Sequence, residues 1–173
     1  LDTLGGDYSL AYDINNHGQV VGASETATNE GHAFIWTAED GMRDLGTLGG
    51  GFSNPTDMNN LGQVVGISAD EFDRDIPFIW SAETGMVALE ARGCKLNSAA
   101  SINDRGQIAG MIVLGPQLTH AAICNPDGTT IDLGSASEYL STSEDINDQG
   151  TVVGVSYLGP DFQVPHATLW GNQ

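Results

Sequence analysis

The sequence predicts an all-β protein, a four-bladed β-propeller, and three observations lead to that fold class. A segment of the form Asp-Ile-Asn-x-x-Gly-Gln-Val-Val-Gly occurs in four variants, 44 residues apart, with its asparagine at Asn15, Asn59, Asn103 and Asn147. Each copy is followed by further short apolar segments, and no segment keeps a helical period of 3.6 residues. Repeats of about 40–50 residues with four strands each are typical of propeller blades.

Each repeat is expected to contain four antiparallel strands, named a, b, c and d in chain order. In the first repeat they cover residues 9–15, 19–24, 32–36 and 44–48. The Asn-x-x-Gly sequence between strands a and b suits a tight turn, because glycine readily adopts a positive φ. The asparagine side chain is expected to bond the backbone of that turn. One apolar residue of each strand a is expected in the core between blades: Ile14, Met58, Ile102 and Ile146.

The four repeats are predicted to form a single domain, residues 1–173, and to close into a ring. Their approximate limits are 1–44, 45–88, 89–132 and 133–173. Residues 1–6 repeat the Leu-x-Thr-Leu-Gly-Gly sequence of residues 45–50. We therefore expect residues 1–4 to complete the last blade by pairing with residues 166–170, which would remove an exposed sheet edge. An open β-solenoid is the alternative, but it gives no reason for a displaced strand.

Composition excludes two classes of partner. The 173 residues include 5 Lys and Arg against 23 Asp and Glu, a formal charge of −18. Such a charge repels nucleic acid and anionic membrane surfaces. No apolar run is long enough for a membrane-spanning helix, so no membrane insertion is expected. The chain has no signal peptide or initiator methionine and is expected to be a mature or excised segment, acting as a monomer.

The repeated text resembles a known family. The sequences His-Ala-Phe-Ile-Trp at 32–36, Met-Arg-Asp-Leu-Gly-Thr-Leu-Gly-Gly at 42–50 and the recurring Asp-Ile-Asn-x-x-Gly-Gln-Val-Val-Gly are similar to the HAF family of extracellular repeats. The resemblance covers all four repeats and is weaker in the third and fourth. In the third repeat Ala122 and Cys124 replace Phe34 and Trp36. It implies a bacterial, secreted or surface-exposed protein and supplies no catalytic motif.

The function that the sequence favours is a secreted or surface binding module. The connections b–c and d–a are expected to share one face, and loops on a rigid scaffold are where binding usually occurs. Aromatic side chains in these loops suit a small ligand such as a carbohydrate. The candidates are Tyr8, Phe52, Tyr139, Tyr157 and Phe162.

Two other functions stay open from the sequence. One is a hydrolase or lyase that uses carboxylates and a histidine of the same face, since glycoside hydrolysis needs two carboxyl groups about 5–10 Å apart. The candidates are Glu30, Asp73, Asp75, Glu138, Asp161 and His166. The other is a structural repeat unit of a larger surface protein.

No organic cofactor is expected, but the axis of a propeller could hold a structural cation. Asp13, Asp57 and Asp145 occupy equivalent positions on strand a, and a ring of carboxylates suits Ca²⁺. The alternative is that each carboxylate bonds backbone amides. His32, His120 and His166 are also equivalent, but we expect strand c positions to lie too far apart to share one ion.

Cys94 and Cys124 are predicted to be free thiols. Cys94 takes the place of Gly50, and Cys124 takes the place of Trp36. In paired strands these positions are expected beyond the roughly 7 Å Cα separation that a disulfide tolerates.

Overall fold

The computed structural model describes residues 1–136, 140–158 and 164–171. It divides into two compact units, Leu1–Ala88 and Leu89–Gln173. Each unit contains two of the four sequence repeats. The two units are described one after the other.

The first unit is a single sheet of eight strands. Antiparallel pairs join consecutive strands within each repeat, and one parallel pair, Gly31 with Phe52, joins β3 of the first repeat to β5 of the second. The strands are β1 (Gly5–Ile14), β2 (Val20–Thr26), β3 (Gly31–Thr37), β4 (Gly41–Asp44), β5 (Gly49–Met58), β6 (Val64–Asp70), β7 (Asp75–Ser81) and β8 (Gly85–Ala88).

The second unit has the same construction with seven strands. A 3-10 helix, Leu89–Arg92, precedes them and is the only helical segment in the described part of the chain. A parallel pair, Thr119 with Leu140, joins β11 to β13 as in the first unit. The strands are β9 (Ser98–Ile102), β10 (Ile108–Gly115), β11 (Leu118–Cys124), β12 (Thr130–Gly134), β13 (Leu140–Ile146), β14 (Val152–Leu158) and β15 (Val164–Trp170).

The all-β class and the four-strand repeat are therefore confirmed for the first three repeats. Among the described residues, the fourth repeat has three strands, and β15 ends its sheet. Neither sheet is closed on itself. The turns between strands a and b also follow the prediction. Gly18 has a φ of +73°, and the side-chain oxygen of Asn15 accepts the N–H groups of His17 and Gln19.

A β-bulge in strand a recurs in every repeat and explains the glycine of Val-Val-Gly. In β5 the register shifts between Pro55 and Asp57, opposite Gly66 of β6. A Cβ atom at Gly66 would collide with the carbonyl oxygen of Asn54. The equivalent positions, each facing a carbonyl oxygen of the neighbouring strand, are Gly22, Gly110 and Gly154.

The core lies between the two repeats of each unit. In the first unit Ile35 and Met58 belong to one buried cluster with Phe78 and Trp80. In the second unit Ile123 and Ile146 pack in the same way with Val152. The expectation that Ile14 is also a core residue is wrong, because its side chain is 64% exposed.

The predicted limits of strand d are wrong. Strand β4 ends at Asp44, whereas the sequence suggested that strand d begins there. The Asp44 carboxylate accepts the N–H of Gly46, and Gly46 has a φ of +73°, so a turn follows the aspartate at once. The alternation of apolar residues in Leu-Gly-Thr-Leu is typical of a strand. The strand nevertheless ends at Asp44, because Gly46 and its hydrogen bond to the Asp44 side chain form a turn.

Residues 1–4 lead into the first strand of the first unit. Leu4 makes a parallel bridge with Thr26 of its own sheet, and its N–H donates to Ser24 Oγ. Leu48 makes the equivalent bridge with Asp70. Residues 1–4 thus correspond to the crossover that leads into strand a, and their pairing with residues 166–170 stays a prediction.

The b–c connections are shorter than expected. Strand β2 is joined to β3 by residues 27–30, and β10 is joined to β11 by residues 116–117. Strand b continues beyond its apolar residues. Residues that the sequence assigns to the b–c loop therefore belong to the paired strands of the hairpin. The equivalent connection of the fourth repeat, residues 159–163, lies outside the described residues.

Cys94 and Cys124 form a disulfide, with a Cα–Cα distance of 5.7 Å, so the prediction of two free thiols is wrong. The sequence placed Cys94 at the position of Gly50, at the end of a strand d. Instead the 3-10 helix turns the chain, and the Cys94 N–H donates to the carbonyl of Leu89. The next N–H, of Lys95, donates to Thr130 Oγ1 at the beginning of β12, beside the end of β11.

Candidate functional site

The candidate site lies on the first unit and is centred on His32, near the beginning of β3. His32 Nδ1 lies 2.9 Å from Asp44 Oδ2 and 3.1 Å from Asp44 Oδ1. The two residues face each other because β3 and β4 are antiparallel with Phe34 opposite Asp44, and His32 precedes Phe34 by two residues. The His32 side chain is 15% exposed and that of Asp44 is 41% exposed.

Glu30 lies on the other side of the same imidazole. Its Oε2 is 4.0 Å from His32 Nε2 and accepts a hydrogen bond of 2.9 Å from Thr28 Oγ1. Because Asp44 occupies Nδ1, the hydrogen bond assigns the proton of a neutral imidazole to that nitrogen. Nε2 is then left as an acceptor beside an exposed carboxylate. The pair can accept two hydrogen bonds from one polar ligand.

Two exposed aromatic residues lie next to Gly31, the residue between Glu30 and His32. Tyr8 is 51% exposed, and Phe52 is 36% exposed and pairs with Gly31. A Cβ atom at Gly31 would lie 3.9 Å from the Tyr8 hydroxyl. A Cβ atom at Gly51 would likewise lie 3.9 Å from Glu30 Oε1. Tyr8, Glu30, His32, Asp44 and Phe52 are called the His32 site.

The His32 site is complete in the first repeat alone among the described residues. His120 contacts Asp132 in the same way, at 2.8 Å, but Leu118 stands where Glu30 would be. The second repeat has an apolar pair, Ile76 and Ala88, at the positions of His32 and Asp44. His166 is exposed on β15, the last described strand of its sheet.

The structure separates the remaining sequence candidates. Asp73 and Asp75 are exposed around the β6–β7 connection, where Asp73 has a φ of +57°. Tyr157 is partly buried on β14. Four further candidates lie outside the described residues: Glu138, Tyr139, Asp161 and Phe162.

The β6–β7 connection carries an ion pair that the sequence did not suggest. Arg74 Nη2 lies 2.6 Å from Asp70 Oδ2, and its guanidinium stacks 5.2 Å from the Phe72 ring centre. Hydrogen bonding from the Arg74 side chain holds the pKa of Asp70 below its usual value. This ion pair fixes the connection next to Asp73 and Asp75.

The three aspartates proposed for a cation all accept hydrogen bonds. Asp13 Oδ2 accepts the Met58 N–H at 3.1 Å, and Asp57 Oδ1 accepts the same N–H at 2.8 Å. Asp145 Oδ1 accepts from Ser101 Oγ and from the Ile146 N–H, both at 2.8 Å. No group of three or more metal-ligating side chains occurs within residues 1–136, 140–158 and 164–171. A structural cation stays a prediction.

Two small hollows on the side of the a–b turns were missed from the sequence. The first, about 220 Å³, lies below Trp80 in the first unit, where the Arg43 guanidinium stacks 5.2 Å from the indole centre. The second, about 250 Å³, lies below Trp170 in the second unit, with Ile131 in place of Arg43. Both are smaller than the roughly 300–1,000 Å³ of usual ligand pockets. Their repetition in the two units could have been recognised from the recurring tryptophan.

Comparison with known proteins adds no family. A scan of protein-family models found none that matches the chain, and a search of curated proteins found no similar sequence. In the part of the chain that the structure describes, no helix is long and apolar enough to cross a membrane.

Proposed function

We propose that the chain is a secreted or surface binding module, a HAF-type repeat protein that holds a small hydroxyl-rich ligand, such as a carbohydrate, at the His32 site. The observation that carries the proposal is the pair of acceptors, His32 Nε2 and the Glu30 carboxylate 4.0 Å away, on either side of Gly31, next to which the exposed Tyr8 and Phe52 lie. Aromatic faces stack on sugar rings, and paired acceptors bind neighbouring hydroxyl groups.

Charge narrows the class of ligand. The formal charge of −18 repels polyanions and attracts cationic groups. Glu30 is 48% exposed and adds a negative charge at the site itself. We therefore propose a neutral or amino-substituted saccharide rather than an acidic polysaccharide.

The finer fold proposal is that the four repeats are propeller blades. It is supported by the antiparallel strand order β1-β2-β3-β4, which recurs as β5-β6-β7-β8. A disulfide, which persists in oxidising compartments, is compatible with the proposed location outside the cytoplasm.

The test uses two probes, cello-oligosaccharides and chitosan oligosaccharides, with binding measured by calorimetry on the 173-residue chain. Both are expected to bind, and Tyr8→Ala and Glu30→Gln should each weaken binding at least about tenfold. Tyr12→Ala is the matched control, since Tyr12 lies on the same strand and is 47% exposed. Absence of binding, or equal loss in Tyr8→Ala and Tyr12→Ala, would overturn the proposal.

The second candidate is a hydrolase or lyase, which the 4.0 Å contact between Glu30 and His32 favours. In that case Glu30 would transfer a proton to or from the substrate. His32, which Asp44 holds in place, would set the charge of the Glu30 carboxyl group. Release of shorter saccharides by the native chain, lost in Glu30→Gln while binding persists, would distinguish catalysis from binding alone.

A further inference from the structure

A small hollow in the first unit, called the Trp80 hollow, lies where the two repeats of that unit meet. Its volume is about 220 Å³. All the residues that line it belong to Leu1–Ala88, so it is formed within a single unit. Its apolar lining includes Ile35, Leu61 and Trp80, and its polar lining includes Gln19, Asp40 and Arg43.

Arg43 brings a guanidinium group that has no carboxylate partner in the first unit. The group stacks 5.2 Å from the centre of the Trp80 indole. Arg74 stacks on an aromatic ring at the same distance, but it also binds Asp70 at 2.6 Å. No carboxylate of the first unit lies within 4.0 Å of an Arg43 nitrogen. The indole thus holds the Arg43 guanidinium in place, and the guanidinium N–H groups are left to bind an acceptor.

Gln19 supplies a second donor. Its Oε1 accepts a hydrogen bond of 2.7 Å from Asn15 Nδ2, which identifies that end of the amide as the oxygen. The Nε2 end lies beside Gly62, where a Cβ atom would be 3.7 Å away, and Gly62 lines the same hollow. None of the contacts in the first unit gives this Nε2 an acceptor, so it can donate to a ligand.

Asp40 brings the opposite charge to the hollow. Its side chain is exposed, and its Oδ2 accepts one hydrogen bond, of 3.5 Å, from Thr37 Oγ1. A turn at Gly41, where φ is +72°, separates it in sequence from Arg43, and the two side chains form no ion pair. The hollow therefore contains a carboxylate and a guanidinium that do not neutralise each other by direct contact.

The equivalent hollow of the second unit lacks this charged pair. It lies below Trp170, and Ile131 and Gly128 occupy the positions of Arg43 and Asp40. Strands β11 and β12 pair there as β3 and β4 pair in the first unit. The charged pair is therefore not needed for the fold of a repeat, and a ligand gives a reason for its presence.

The glutamine donor is also used differently in the second unit. Gln107, the equivalent of Gln19, donates from Nε2 to Asn125 Oδ1 at 2.9 Å. In the first unit Thr37 stands at the position of Asn125, and its hydroxyl is bonded to Asp40 instead. The donor is thus satisfied within the second unit and left open in the first.

We propose that the Trp80 hollow binds a free α-amino acid with an apolar side chain, such as L-leucine. The guanidinium of Arg43 and Nε2 of Gln19 donate hydrogen bonds to the carboxylate of the amino acid. The Asp40 carboxylate accepts hydrogen bonds from its ammonium group. Its side chain packs on Leu61, which is 68% exposed, and on the other apolar residues of the hollow.

An α-amino acid matches the hollow in charge and in size. It carries its two opposite charges on groups attached to one carbon, and a planar guanidinium binds a carboxylate through two parallel hydrogen bonds. A free amino acid has no net charge, so the formal charge of −18 does not repel it as it repels anions. A volume of about 220 Å³ is below the roughly 300–1,000 Å³ of pockets for drug-sized molecules and suits a ligand of fewer atoms.

The first test compares three ligands by calorimetry on the 173-residue chain. L-leucine should bind with a Kd below about 1 mM. Isocaproate, which lacks the ammonium group, and isoamylamine, which lacks the carboxylate, should each bind at least about tenfold more weakly. Absence of L-leucine binding is incompatible with the inference, and so is an analogue that binds as tightly as L-leucine.

The second test compares variants of the hollow with a matched control. Arg43→Ile, which introduces the residue of the second unit, and Asp40→Asn should each weaken L-leucine binding at least about tenfold. Circular dichroism checks that both keep native strand content. Arg105→Gln is the control, since it removes one positive charge from an exposed side chain of the second unit, and it should bind as the native chain does. Equal loss in Arg105→Gln would mean that only net charge matters and would contradict the assignment to this hollow.

NMR on the arginine side chains locates the ligand. The Nε–H signal that is missing in Arg43→Ile should shift when L-leucine is added to the native chain, and the other arginine signals should not. A shift confined to the other signals would place the ligand elsewhere and refute the inference. The Trp80 hollow shares no residue with the His32 site, so L-leucine binding and saccharide binding can fail separately.

Discussion

The imidazole of His32 is held by the carboxylate of Asp44, with Nδ1 2.9 Å from Oδ2, across two strands whose contact depends on their register. The same Asp44 carboxylate accepts the N–H of Gly46. It thus joins β3 to the turn that follows β4. In the second repeat the positions of His32 and Asp44 are taken by two uncharged residues, Ile76 and Ala88.

The second repeat supplies the design for a test of this contact. Asp44→Ala should lower the free energy of unfolding by about 1 kcal/mol, since it leaves a half-buried imidazole without its acceptor. The double variant His32→Ile with Asp44→Ala copies the second repeat and should recover most of the loss. Urea unfolding of the native chain, both single variants and the double variant gives the coupling energy. Purely additive losses would refute the compensation.

The double variant also separates stability from binding. It should fold as the native chain does and fail to bind the saccharide probes, because Nε2 of His32 is gone. Retained binding in a stable double variant would remove His32 from the proposed site.

The glycine opposite the bulge is expected to tolerate no side chain. Gly66→Ala should destabilise the chain by about 1–3 kcal/mol, because the new methyl group meets the Asn54 carbonyl oxygen and the two strands must separate. Gly115→Ala is the control, since its Cβ would lie 3.8 Å from the nearest atom, Leu118 Cβ. It should change stability by less than about 0.5 kcal/mol. The denaturant midpoint of each variant measures the difference.

The Asp70–Arg74 contact makes stability depend on pH at the acid end. The pKa of Asp70 is lowered in the folded state from its usual 3.8, chiefly by the hydrogen bond from Arg74. Its stabilising effect is therefore complete above pH 3.8 and is lost as the pH falls through the lowered value. Thermal unfolding of the native chain and of Asp70→Asn should differ at pH 7 and converge as the pH falls below 3.8 and through the lowered pKa.

Asp75→Asn is the comparison for that measurement, since it removes a negative charge from the beginning of β7 and leaves Asp70 and Arg74 in contact. Its difference from the native chain should not shrink in the same way. A constant difference between the native chain and Asp70→Asn across the whole range would contradict the assignment.

The repeat, its turns and its strand class could be predicted because they depend on local chemistry that recurs every 44 residues. The Asn-x-x-Gly sequence, as at Asn15 and Gly18, specifies a turn in each repeat. The limits of β4 could not be predicted in this way, because Leu45-Gly46-Thr47-Leu48 has the alternation of a strand. Whether it pairs is decided by the bond from the Gly46 N–H to the Asp44 carboxylate two residues earlier, a local turn that the apolar alternation does not reveal.

The site was predicted in parts. Tyr8, Phe52 and Glu30 were recognised by their residue types on one face, whereas His32 was noted only as equivalent to His120 and His166. Its partner Asp44 is 12 residues away, and only the register of β3 on β4 brings the two together. Cys94 was misplaced because the 3-10 helix before it has no counterpart in the other repeats.

The bond between Cys94 and Cys124 changes what the chain does under mechanical load. It joins residues 30 apart in sequence. A chain pulled from its two ends extends by roughly 3.3–3.6 Å for each residue released, so the closed loop withholds on the order of 100 Å of length. With its thiols reduced, the third repeat would lengthen under tension by that amount, whereas the oxidised repeat stays short after its strands have separated.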